Sequence, residues 1–190
     1  MEGARALICA EIAGLATEFD SNLKAIVLTG STARREQTSL QNGDTVRLLS
    51  DVEGFFVFSD SEFPRQQERV KDLARKLEGK LQQQKIVCSL DINAVPERFL
   101  LSLRPNIFSY ELAMHGDVIW GDRNILSSIP KFAVADIPLE DAWRLLARFC
   151  KRSAGARRGR PGGVAALFRA MDGRRRRLGG RQQLVGHRSG

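Results

Sequence analysis

The chain has little of what marks several large classes of protein. It carries three cysteines, Cys9, Cys88 and Cys150, an odd number set far apart. Neither a disulfide framework nor a CxxC zinc site can be built from them, and buried thiols are expected. Of its two histidines, His115 is expected at a helix end and His187 in solvent, and neither stands in a Ser/His/Asp or metal-ligand spacing. No GxGxxG, GxxxxGKS/T or GxSxG motif occurs, so Rossmann, P-loop and α/β-hydrolase chemistry have no footing. Apolar runs such as Phe55 to Phe58 stop far short of the ~20 residues that a bilayer crossing needs, and no basic-then-apolar leader opens the chain. A soluble, cytoplasmic protein with no membrane partner is the expectation.

What is present is one domain's worth of chain. The 190 residues are 43% hydrophobic, enough for a buried core. The net charge of +8 is unevenly spread: residues 151–190 hold 12 Lys+Arg against a single acid, Asp172, for a net of +11. Residues 1–150 hold 18 basic and 21 acidic residues, a net of −3. The basicity therefore belongs to the tail, and the body is mildly acidic.

Hydrophobic spacing predicts the elements of that body. Leu7, Ile8, Ile12, Leu15, Ala16 and Phe19 lie on one face of a helix over residues 4–19. Ala25 to Leu28 reads as a buried strand that breaks at Thr29-Gly30-Ser31, with a short helix over Thr32 to Gln37 capped by Ser31 or Thr32. Asn42-Gly43 predicts the turn of a small inserted hairpin. Asp51 to Phe58 is the second core strand. A long surface helix follows over Glu62 to Gln84, with Pro64 in its first turn. Lys85 to Val95 alternates as a strand, Ile86, Cys88, Leu90, Ile92 and Ala94 sharing one parity and Ser89, Asp91 and Asn93 the other. Ile107 to His115 is helical, Val118-Ile119-Trp120 a short strand, and Leu139 to Cys150 a further helix.

The chemistry-bearing residues are Gly30-Ser31, Asp51-Val52-Glu53 and Asp91. Residues two apart on a strand face the same way, so Asp51 and Glu53 project together. Paired carboxylates repel unless a cation lies between them. With Asp91 as a third carboxylate from an adjacent β-segment, the set suits two Mg²⁺ ions roughly 3.5–4 Å apart, or Mn²⁺ in their place. The glycine and serine supply a bare backbone, a hydroxyl and helix N-terminal amides, all matched to a triphosphate.

Leu28-Thr29-Gly30-Ser31-Thr32-Ala33-Arg34-Arg35-Glu36, followed by Leu49-Ser50-Asp51-Val52-Glu53-Gly54-Phe55-Phe56-Val57-Phe58, resembles the signature of DNA polymerase β-type nucleotidyltransferases. In that family G-S is followed by D-x-D or D-x-E. The resemblance covers residues 25–95 and extends toward 122. It implies an α+β (α/β-like) fold, a small mixed β-sheet backed by helices. It implies transfer of a nucleoside monophosphate from an NTP, ATP foremost, to an acceptor hydroxyl. It assigns Gly30 and Ser31 to the triphosphate with Arg34 as a further phosphate contact, Asp51 and Glu53 to metal, and Asp91 to metal and acceptor activation. A protein partner, as in antitoxin-type members, is an alternative implied by the same resemblance.

Three features depart from the family pattern. Asp51 lies 20 positions beyond Ser31, and the expected hairpin takes up the excess. Arg35 stands where glycine is common, a substitution that costs ~1–2 kcal/mol if the backbone there is left-handed. The Arg/Gly-rich end resembles nothing in the family. The expected layout is a nucleotidyltransferase core over 1–122, the start of a helical region over 123–151, and a tail over 152–190 that cannot bury enough apolar surface to order itself. A short helix over Val164 to Met171 is the one element expected in it. The tail would bind nucleic acid non-specifically through phosphates, or else reflects a reading-frame change after Lys151.

Overall fold

The structure, a computed structural model, describes residues 2–19 and 21–156. The chain to Pro138 makes one compact unit, and the helix that begins at Leu139 belongs to a second. The fold is α+β, with small mixed sheets backed by helices.

Helix α1 (Glu2–Gly14) buries Ile8 and Ile12 completely, and the chain then tightens into a 3-10 turn over Leu15–Glu18. Strand β1 (Leu23–Thr29) runs into a single helical turn, α2 (Gly30–Ala33). The inserted hairpin is present as β2 (Ser39–Asn42) and β3 (Thr45–Leu48). Its turn is centred one residue later than the sequence predicts: Asn42 pairs with Thr45, leaving Gly43 and Asp44 at the tip. Gly43 takes φ 61°, the first-position glycine of a II′-type turn, whose twist matches that of the strands.

Strand β4 (Val52–Phe58) leads to α3 (Phe63–Gln83). The single strand expected over residues 85–95 is two strands, β5 (Ile86–Val87) and β6 (Leu90–Pro96). β5 pairs with β3 of the hairpin, whereas β6 pairs with β4, so Cys88 and Ser89 step the chain from one sheet to another. Alternation survives the step, because Ile86, Leu90, Ile92 and Ala94 all remain buried. A periodic pattern reports which face is apolar and not which neighbour a strand joins. The thiols of Cys9 and Cys88 are half-buried rather than buried. Burial pushes the Cys88 thiol up to about 11, with the charge of Glu78 adding to the effect.

Pro96 ends β6 as expected and leads into α4 (Glu97–Leu101), a short helix that the apolar spacing does not announce. Helix α5 (Ile107–His115) begins at a capping box. The Asn106 side chain accepts from the Ser109 backbone N–H at 2.8 Å, and Ser109 Oγ accepts from the Asn106 backbone N–H at 3.2 Å. His115 closes that helix, and β7 (Asp117–Gly121) follows. Ile125 and Ile129 are buried with Val118 and Leu112, so the first compact unit continues beyond residue 122 to Pro138.

Helix α6 (Leu139–Ala156) opens with Glu140 and Asp141, which complement its dipole, and its backbone stays helical past Lys151 into the segment expected to lack order. The rest of the arginine-rich segment, with its expected helix at Val164 to Met171 and His187, lies outside the described residues. Among the described residues no helix is long and apolar enough to cross a membrane.

The main sheet has strand order β6-β4-β1-β7, with β4 and β6 parallel and the other pairs antiparallel. One face packs Ile26, Leu28, Val52, Phe56 and Phe58 against α1 and α3 through Ile8, Ile12, Val70 and Leu77. The other face carries Ala25, Val27, Val57 and Val95 under Leu100 of α4 and Leu112 of α5.

Candidate active site

The second face of the sheet loses its apolar cover toward the C-terminal end of β1, and the carboxylates stand there. In the register of the sheet Thr29 pairs with Glu53, and Glu53 pairs with Asp91. Neighbouring strands are about 4.8 Å apart, so these three residues form one row across β1, β4 and β6. Asp51 precedes β4 by one residue and shares the parity of Glu53, and all three acids are exposed. The sequence expectation that the carboxylates lie on one face and come from two adjacent β-segments therefore agrees with the pairing.

Gly30 makes the row accessible to the turn beside it. Its φ is 62°, a left-handed conformation that favours glycine. A Cβ built at this position would lie 2.6 Å from Glu53 Oε2, so the carboxylate rests directly against the bare backbone. Ser31 Oγ donates to Ser50 Oγ at 3.1 Å, tying the Gly-Ser turn to the residue that precedes Asp51. Ser31 and Thr32 lie inside the helical turn rather than capping it. The turn starts at Gly30, with Thr29 as an extended N-cap that makes no side-chain bond. The helical turn is also shorter than expected and ends at Ala33, because Arg35 turns to φ 61°. Arg35 is thus left-handed, and as a residue with a Cβ it carries strain there.

The expected convergence of all three acids on one ion pair is not reproduced by the side chains. Glu53 lies over Gly30, and Asp91 Oδ1 accepts from Asn93 Nδ2 at 3.0 Å. Among the described residues no three Asp, Glu, His or Cys side chains are grouped closely enough to hold a metal ion. The donor chemistry nonetheless suits Mg²⁺, because carboxylate oxygens are hard ligands and the row holds them on a solvent-facing edge.

Arg34 is already engaged. Its Nε donates to Glu36 Oε2 at 2.7 Å, and its Nη1 donates to Glu111 of α5. The bond to Glu36, with the charge of Glu111 adding to it, holds the guanidinium above its ordinary pKa. Beside Asp91, an open groove of about 410 Å³ runs along β6, which is the edge strand of the sheet. Leu90, Asp91, Ile92 and Asn93 form one wall of it and Lys71, Ala74 and Arg75 of α3 the other.

No family model and no curated protein matches this chain. Similarity is found among solved structures. A chain of a toxin–antitoxin structure with AMP-PNP is 17% identical, with 77% of this chain and 93% of that chain covered at a TM-score of 0.38. A chain of the tri-AMPylated Shewanella oneidensis HEPN toxin in complex with MNT antitoxin is 15% identical, with 79% and 93% covered at a TM-score of 0.38. A chain of the MntA-HepT toxin–antitoxin is 16% identical, with 78% and 93% covered at a TM-score of 0.37.

Several residues that shape the site carry no signature in the sequence. Arg5 of α1 donates through Nε to the Thr32 carbonyl at 3.1 Å and through Nη2 to Asp117 of β7 at 2.7 Å, joining three elements behind the Gly-Ser turn. Glu78 of α3 accepts from the Leu90 backbone N–H at 2.6 Å and so anchors the start of β6, one residue before Asp91. Glu111 holds Arg34 across 77 positions of sequence. Only the tertiary fold brings these partners together, and no local spacing could have flagged them.

Proposed function

We propose that this chain is a metal-dependent nucleotidyltransferase that moves a nucleoside monophosphate from an NTP to an acceptor hydroxyl. The observation that carries the reading is the row of Thr29, Glu53 and Asp91, fixed by strand register, with the Glu53 carboxylate against the bare backbone of Gly30. A triphosphate needs close backbone approach and concentrated counter-charge, and these residues supply the first and the ligands for the second.

In this reading Asp51, Glu53 and Asp91, once turned toward one another, would hold Mg²⁺ or Mn²⁺, which would supply counter-charge to the triphosphate. Gly30 and Ser31 seat the phosphates. Ser31 gives up its bond to Ser50 to donate to a phosphate oxygen. Arg34 contacts phosphate by exchanging one of its two carboxylate partners for the nucleotide. Asp91, at the β6 end of the row, takes the proton of the acceptor hydroxyl.

Incubating the protein with each labelled NTP and Mg²⁺ or Mn²⁺ tests the proposal. Label is expected to pass to a hydroxyl-bearing protein, RNA or small molecule, with ATP the preferred donor. A protein that binds no NTP and transfers no label in the presence of either ion would overturn the reading.

A further inference from the structure

Helix α5 touches the site at two points one helical turn apart. Glu111 is ion-paired with Arg34, which follows the Gly-Ser turn. Three residues earlier on the same helix, the Phe108 ring stands against Phe55 of β4 at 5.8 Å between centroids and 87° between planes, an edge-to-face contact. Phe55 lies in turn 6.1 Å from Phe99 of α4. Phe55 shares the face of β4 that carries Glu53, two residues or about 7 Å farther along the strand.

Phe108 belongs to neither buried core cluster and is 40% exposed. A single exposed apolar residue is ordinary. This one is held in place by a second aromatic ring, at the point where the acidic row gives way to apolar cover. Ligand sites characteristically set a few polar groups beside an aromatic wall.

We infer that Phe108, backed by Phe55, is the stacking platform for the planar base of the nucleotide. This rests on the nucleotidyltransferase reading and adds to it where the base lies. Stacking is tolerant of base identity because every base has a π-face, so the platform favours nucleotides over base-free polyphosphates without choosing strongly among the four bases.

The test compares binding of ATP and of inorganic tripolyphosphate, each with Mg²⁺, by calorimetry on the full chain. Wild type is expected to bind ATP more tightly than tripolyphosphate. Phe108→Ala is expected to lose roughly five- to a hundredfold in ATP affinity, with tripolyphosphate affinity unchanged. Phe108→Trp should restore ATP affinity. Phe108→Leu, which keeps apolar bulk without the π-face, should behave as the alanine variant and serves as the readout if the alanine variant fails to fold. Undiminished ATP affinity in the alanine or leucine variant overturns the stacking inference, as does a wild type that binds ATP no better than tripolyphosphate. A wild type that binds neither overturns the nucleotidyltransferase reading itself.

Discussion

The two faces of the main sheet are built from the same strands and do different work. Along β4, Val52, Phe56 and Phe58 point to the face covered by α1 and α3 and are fully or almost fully buried. The alternate residues Glu53, Phe55 and Val57 point to the other face, where burial falls away toward the start of the strand until Asp51 and Glu53 stand in solvent. One face has thus been filled to close packing, while the other keeps an unfilled end lined by charge and by half-exposed aromatic rings. The period-2 geometry of a strand lets one segment serve stability with one parity and, under the proposed function, chemistry with the other. Substitutions at neighbouring positions of the same strand should therefore have unlike consequences.

The sharpest test of that division is Asp51→Asn. Under the proposed function it should abolish Mg²⁺-dependent nucleotide transfer while the circular dichroism spectrum and the urea midpoint stay within error of wild type. Undiminished turnover would remove Asp51 from the chemistry. On the opposite parity, Phe56→Ala deletes a ring that is 1% exposed and stacked edge-on with Phe19 at 5.6 Å. A loss of about 3–5 kcal/mol is expected in urea denaturation. Any activity that remains should scale with the folded fraction.

Two smaller effects refine the comparison. Arg35, at φ 61°, sits in the loop that borders the acidic face, and Arg35→Gly should relieve left-handed strain. A gain of about 1 kcal/mol is expected in the thermal or urea transition, reduced somewhat by the greater freedom of glycine in the unfolded chain. Cys88 packs at the margin of the opposite face, where burial and then Glu78 push its thiol up to about 11. The protonated form is therefore favoured in the folded state, and the thiolate appears only as pH rises toward that value. Alkylation of Cys88 in the folded protein should lag behind that of the urea-unfolded chain at pH 9 and catch up near pH 11, as followed by mass spectrometry. Equal rates at pH 9 would contradict the burial argument.

Much of this arrangement was legible before any coordinates. The alternation of Asp51 to Phe58 placed the two acids together, the parity of Ile86 to Ala94 assigned Asp91 to a polar face, and the family resemblance marked Arg35 as standing where glycine is common. The sequence reading fell short where a local pattern is degenerate. It could not tell one strand from two between residues 85 and 95, since both keep the same parity. It started the helical turn at Thr32 rather than Gly30. It ended the core at residue 122, because the buried Ile125 and Ile129 lie in an irregular segment without period. It also expected the three acids to converge on an ion pair, whereas among the described residues no three such side chains are grouped closely enough to hold a metal ion.

The amino-acid sequence by itself determined which residues share a face, where the backbone must turn, and how charge divides between an acidic body and a basic end. Each of these follows from steric and periodic constraints acting within a few residues. The tertiary structure alone decided that β6 lies beside β4, which puts Asp91 next to Glu53. It also decided that Arg5 and Glu111 brace the Gly-Ser turn and that α5 sets Phe108 against Phe55 of β4. Those pairings join residues far apart along the chain, and they depend on how burial distributes elements over the two faces of one sheet, a property of the whole fold that no short stretch of sequence carries.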